Sequence, residues 1–158
     1  MKKLVLFGAG KIGRSFIGQL FSAGGFEVVF VDVYKPVIDE LNRRGEYKVI
    51  IKSEFSSVIP VKNARGILAG DETAVIREIC ETDLVATAVG QNGLPGVFPL
   101  LAKGLKNRYQ KYPDKPLDII IAENLRNAAT YFETELKKVL PPTYPFQKMV
   151  GLVETSIG

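Results

Sequence analysis

Three glycines in the run FGAGKIG, Gly8, Gly10 and Gly13, stand in the spacing G-x-G-x-x-G. Glycine is common, so this spacing carries meaning only between a strand and a helix. Both are predicted here. Leu4 to Phe7 is a short apolar run without alternation, as in a strand buried on both faces. From Ile12 the apolar positions become Ile12, Phe16, Ile17, Leu20 and Phe21, a helical spacing that Gly24 and Gly25 end. In such a turn the first glycine permits the reversal, and the second lets a diphosphate approach the backbone with no Cβ in the way. The third allows close helix–sheet packing. The helix start then aims unpaired N–H groups and the positive end of its dipole at the anion.

A second β-branched and aromatic run, Val28 to Val31, ends at Asp32, 19 residues after Gly13. That distance is close to the ~20 residues at which a carboxylate holds the adenosine ribose of a dinucleotide. An anionic acceptor there bonds ribose hydroxyls and repels a 2′-phosphate, which favours NAD over NADP. Lys35, three residues on, is a cation that would soften the discrimination. The plain alternative for Asp32 is a cap or turn residue before Pro36. Ligands of doubly wound sheets lie beyond the carboxyl ends of the strands, which nominates Ala88, Val89 and Gly90, then Glu123 and Asn124. Gly90 is equally explained as a turn residue, and Glu123 as the cap of a helix beginning at Leu125. The candidate cofactor-binding set is Phe7, Gly8, Ala9, Gly10, Lys11, Ile12, Gly13, Asp32, Val33, Ala88, Val89, Gly90, Glu123 and Asn124.

Other chemistries are excluded by residue type. The 158 residues contain no histidine, which removes Ser-His-Asp triads and His-bearing zinc sites from this chain. The single cysteine, Cys80, permits neither an internal disulfide nor a thiolate cluster, and its helical position suits a small buried hydrophobe. A catalytic acid or base must be Asp, Glu, Lys or Tyr. The net charge of +4 is modest, and much of the excess sits in Lys103, Lys106, Arg108, Lys111 and Lys115. Pro113 and Pro116 break that segment, which reads as a solvated helix end and turn rather than a nucleic-acid groove. No apolar run approaches the ~20 residues of a membrane span, and none reaches a secretory h-region of ~7. A cytoplasmic protein with no membrane or nucleic-acid partner is expected.

The elements that must position these residues alternate. Pro36 suits the first turn of a helix carried by Val37, Ile38 and Leu41 and ended near Gly45. Tyr47–Ile51 and Val58–Val61 alternate and read as one or two exposed antiparallel strands, an insert between parallel units. Asp71 is a plausible N-cap for a helix using Val75, Ile76 and Ile79. Leu84–Val89 and Leu117–Ala122 are further buried strands. Helical stripes follow each, Leu94 to Leu105 and Leu125 to Leu140, the second ended by Pro141 and Pro142. A last strand is read at Met149–Val153, a possible extra one near Ile67, and a ragged tail at Glu154–Gly158. Strands alternating with helices predict an α/β Rossmann fold, a doubly wound, mostly parallel sheet with a small antiparallel insert.

The run FGAGKIGRSFIG, followed by VVFVDVYKPVIDELN, ATAVG, DIIIAENL and GLVETSIG, resembles the polyol-specific long-chain dehydrogenases, the mannitol dehydrogenase family. The resemblance covers nearly the whole chain in order, with Lys11 and Ser15 replacing the usual Asn and Gly. It implies an NAD-dependent oxidoreductase interconverting mannitol 1-phosphate and fructose 6-phosphate by hydride transfer. It also implies that residues 1–158 are the cofactor domain. A second, mostly helical domain, absent from this chain, would bind the phosphorylated polyol and supply a lysine as general base. By the same resemblance, Asn124 contacts the sugar oxygen and steadies the developing alkoxide. The residues agree that alcohol oxidation needs a base at the hydroxyl proton, and without one the chain is not expected to turn over alone. The alternative is a stand-alone nucleotide-sensing regulatory module, which shares the glycine turn.

Overall fold

Leu4 and Leu6 are buried against one group of side chains, Val5 and Phe7 against another, so the opening strand lies inside a sheet covered on both faces. The computed structural model describes residues 1–156. In chain order it contains β1 (Lys3–Phe7), then a π-helical turn (Gly13–Gly18) running into α1 (Gln19–Ala23). Next come β2 (Glu27–Asp32), α2 (Lys35–Arg44), β3 (Glu46–Ile51), β4 (Ser57–Lys62), β5 (Ala64–Leu68) and α3 (Glu72–Glu81). The second half comprises β6 (Leu84–Thr87), α4 (Leu94–Lys111), β7 (Leu117–Ile121), α5 (Ala128–Val139), α6 (Phe146–Met149) and β8 (Val150–Glu154).

Six strands pair in the order β5-β2-β1-β6-β7-β8, all parallel. Counted along this sheet alone the order is 3-2-1-4-5-6, the doubly wound Rossmann arrangement, which opens a crevice where the winding reverses between β1 and β6. The strand anticipated near Ile67 is β5. The expected insert is a separate antiparallel hairpin of β3 and β4, with Tyr47 opposite Val61.

The two faces carry two cores. Val5, Val29, Val85 and Ile119 pack with α3, α4 and α5 through Ile79, Leu101 and Phe132, whose ring meets Phe98 edge-on at 5.0 Å. Leu4, Val28 and Phe30 pack with Ile17 and Leu41 on the other side. Asp71 caps α3 as expected, its Oδ1 accepting from the Ala74 N–H at 3.4 Å. Gly45 ends α2 in the left-handed region at φ 69°. Cys80 is buried, and that burial, with Glu81 nearby, raises its thiol pKa, as suits a packing residue.

Four readings are corrected. Arg108 is not part of a solvated helix end but 6% exposed. Its Nη1 donates to the carbonyls of Ile79, Cys80 and Thr82, and its Nε to that of Lys115. The guanidinium thereby satisfies the orphan carbonyls at the end of α3, where a cation is also favoured by the helix dipole. The helix expected from Leu125 begins at Ala128, after Asn127 takes φ 53°. The strand read as Leu84–Val89 stops at Thr87: the Ala88 N–H still meets the Phe7 carbonyl, but those of Val89 and Gly90 turn toward a side chain described below. Glu154 is no tail: it closes β8, its carboxylate accepts the Ala129 N–H at 2.8 Å, and Thr155 donates to the Ile121 carbonyl at 2.7 Å. Ile157 and Gly158, the end of the GLVETSIG run, lie outside the described residues. Among the described residues, no helix is long and apolar enough to cross a membrane.

Candidate functional site

The glycine turn leaves β1 at the crevice and closes against the end of β6. Gly8 has φ 108°, and a Cβ on it would overlap the Ala88 carbonyl. Its N–H donates to the Val31 carbonyl at 2.8 Å, while the Ala88 N–H donates to the Phe7 carbonyl at 2.8 Å. Gly13 lies directly beneath, where a Cβ would collide with the Gly8 carbonyl. Gly10 differs from both. A Cβ there meets nothing within 4 Å, so the space before this backbone is open and a diphosphate can enter it. The residues present therefore fit a dinucleotide: tight packing at the first and third glycines, and room at the second.

Asp32 is held rather than free. Its Oδ2 accepts the Ala9 N–H at 2.7 Å and its Oδ1 the Tyr34 N–H at 2.9 Å. The turn role expected as the plain alternative is therefore met, and each oxygen keeps a lone pair for a further donor. Lys35 is turned along its helix, with Nζ 2.5 Å from Asp39, so its charge is engaged away from Asp32.

A cleft of about 280 Å³ joins these groups, and Phe7, Gly8, Gly10, Asp32, Val33, Ala88 and Val89 all line it. Its remaining wall, Ala69 after β5 with Gly93, Gly96, Val97 and Leu100 at the start of α4, was not anticipated from sequence. The strand-end rule, applied after Ile67, would have found Ala69. The small residues at positions 93 and 96 carry no chemical signature. Ala9 is buried beside Asp32, and Gly13 under the turn. Lys11 and Ile12 are exposed just past it. Ile12 begins an exposed apolar line with Phe16 and Leu20.

The β7 end behaves unlike its expectation. Glu123 does not cap a helix. It is 5% exposed, and its Oε2 accepts the Val89 N–H at 3.0 Å and its Oε1 the Gly90 N–H at 2.9 Å. Gly90 holds φ 82° there. Asn124 is exposed beside it and does not line the cleft.

The helix start is braced from outside. Tyr47 on the hairpin donates its hydroxyl to the Arg14 carbonyl at 2.6 Å, and its ring meets Phe30 edge-on at 5.9 Å. Burial pushes its hydroxyl pKa up, which keeps it a donor.

Known proteins resemble this chain. The residue pattern of the mannitol dehydrogenase Rossmann domain matches residues 2–158. The mannitol-1-phosphate 5-dehydrogenase of Lactococcus lactis subsp. lactis is 43% identical over 141 residues, 89% of this chain and 37% of that protein. The enzyme of the same name from Streptococcus mutans is 42% identical over 141 residues, again 89% and 37%. The Pseudomonas fluorescens mannitol 2-dehydrogenase, solved as a ternary complex with NAD and D-mannitol, superposes with a TM-score of 0.71 at 13% identity. That superposition covers 85% of this chain and 36% of the other, and shows a shared fold. The chain spans little more than a third of the length of the curated relatives it matches.

Proposed function

The chain belongs to the mannitol dehydrogenase family, as its Rossmann domain, and from that premise we propose that it binds NAD and serves a mannitol-1-phosphate 5-dehydrogenase. The observation that carries this reading is the glycine turn with open space at Gly10 alone, beside a carboxylate fixed at the cleft. The diphosphate lies over Gly10, Lys11 and Ile12 at the helix start, and Asp32 takes the adenosine ribose hydroxyls. Val33 flanks the same side, while Ala88, Val89 and Gly90 form the wall toward the other half of the dinucleotide. When bound, NAD supplies the hydride acceptor and its reduced form the donor.

Residues 1–158 are the cofactor half of a two-domain enzyme in this reading. The second domain carries the phosphorylated polyol site and the basic residue that removes the hydroxyl proton. Asn124, at the end of β7, reaches toward the sugar oxygen from the cofactor side. The length of the relatives supports this division, as does the exposed line of Ile12, Phe16 and Leu20 beside the site, apolar surface that suits a packed partner. Reduction of fructose 6-phosphate by the 158-residue chain alone is expected to be negligible.

The test is a titration of this chain with NADH and with NADPH, followed by thermal shift and calorimetry. A rise in melting temperature with NADH at lower concentration than with NADPH supports the reading. Tighter NADPH binding would remove Asp32 from the ribose site, and binding of neither would remove the cofactor assignment.

A further inference from the structure

Glu123 is a buried carboxylate whose two oxygens are both spent on backbone N–H groups from another strand's loop. That is an unusual use of a charge. Backbone N–H groups at a turn are ordinarily met by a neighbouring carbonyl or by a nearby Ser, Asn or Asp. Here the acceptor comes from more than thirty positions along the chain, across the β6–β7 pairing, and its bonds are charge-assisted. The segment it grips is the one whose Ala88 carbonyl closes over Gly8 and whose Val89 side chain lines the cleft. It also contains Gly90 at φ 82°, a backbone shape that a free loop would hold weakly.

The strand order places this grip relative to a ligand. The glycine turn follows β1, at the middle of the sheet, and Asp32 follows β2 on one side of it. A dinucleotide with its diphosphate over Gly10 and its adenosine on Asp32 must carry its second nucleoside the other way, over β6 and β7. Ala88–Gly90 and Glu123 stand there. Glu123 makes no contribution to the cleft wall itself, so it can act on a ligand only through the loop.

We propose that Glu123 is a positioning residue: it clamps the Val89 and Gly90 amides and so presets the cleft wall that receives the nicotinamide half of the cofactor. This rests on the cofactor assignment above, and its test separates the two.

Wild-type chain, Glu123→Gln and Gly90→Ala are titrated with NADH and with ADP, which keeps the adenosine and diphosphate and lacks the nicotinamide riboside. Gln is isosteric but turns an amide NH₂ toward one of the two N–H groups. Gly90→Ala strains the same loop at φ 82° and leaves the Glu123 carboxylate in place, so it reports on the loop even if the first variant fails to fold. In both variants NADH binding is expected to weaken about tenfold while ADP binding stays within about twofold of wild type, one charged hydrogen bond lost being of that order. A merely structural role would move both ligands together. Equal weakening of NADH and ADP, or unchanged NADH, overturns the proposal. Failure of the wild type to bind NADH at all overturns the cofactor assignment itself.

Discussion

Asp32 joins two loops through one carboxylate at the edge of the cleft. Its oxygens tie the glycine turn, through Ala9, to the start of the loop after β2, through Tyr34. The charge that orders the turn is the same charge that would exclude a 2′-phosphate. Replacing Asp32 with Ala is therefore expected to lower the ratio of NADH to NADPH affinity about tenfold, the scale of one charge-assisted contact. The ratio is the useful quantity, because loss of two amide acceptors also lowers the stability of the free protein. Calorimetric titration of both cofactors against wild type and variant measures it. Thr87 is a contrasting residue: its hydroxyl is buried and has no hydrogen-bond partner. Removing an unpaired polar atom relieves a desolvation cost of about 1–3 kcal/mol. Thr87→Val should accordingly fold at least as stably as wild type, and a clear drop in melting temperature would show that the hydroxyl has a use.

At the scale of elements, α3 is held by a side chain from α4. Arg108 threads its guanidinium among the last carbonyls of α3 and those of Lys115 and Pro116, while Gly104, one turn earlier on α4, lets Ile79 press against the helix. Arg108→Met keeps the aliphatic volume and removes the donors. It is expected to cost about 2–4 kcal/mol in urea unfolding, because buried carbonyls are left unmet. NADH affinity should barely change, since these contacts lie by the start of β6, at the end of the sheet away from the cleft. The same element shows what a sequence can reveal. β1, β2 and β6 announce themselves by short apolar runs, and β7 by Ile119–Ile121 after the exposed Asp118, because both faces of a central strand are covered. β5 is fainter, since Arg65 and Gly66 interrupt it: the arginine reaches the ion pairs at the strand's side, and the glycine makes room for Ile38. Arg108 reads as one more surface cation, and Glu123 as a strand-end candidate or a cap, because their partners are backbone groups remote in sequence. Backbone acceptors and donors have no letter in the alphabet. Gly10 and Asp32 were legible for the opposite reason, their spacing being local and tied to a strand–turn–helix.

Over the whole molecule, a four-residue ion cluster and the candidate cleft lie at opposite ends of the sheet. At the far end Lys3, Glu27, Arg65 and Glu78 form a cluster, with Lys3 Nζ 2.9 Å and Arg65 Nη2 2.7 Å from Glu78. Burial by itself raises the Glu78 pKa, but the hydrogen bonds from Lys3 and Arg65 outweigh it, and the net direction is down. A carboxyl group whose folded pKa is depressed stabilises the fold fully above its unfolded pKa, and that contribution is lost as pH falls through the folded value. Glu78→Gln should therefore flatten the pH dependence of the melting temperature below about pH 5, with its largest deficit against wild type at neutral pH. Circular dichroism melts across that range read the slope directly.

One consequence follows from the position of β1. It precedes the other strands of its sheet in the sequence, yet it pairs with β2 on one edge and with β6, about eighty residues downstream, on the other. The turn it carries reaches its final shape only when the Ala88 carbonyl comes to rest over Gly8 and the amides beyond it find Glu123. The turn that precedes its partners in sequence is thus completed only after they have been made. A nascent chain halted before residue 123 would hold every glycine of the turn and still lack the clasp that shapes its far wall.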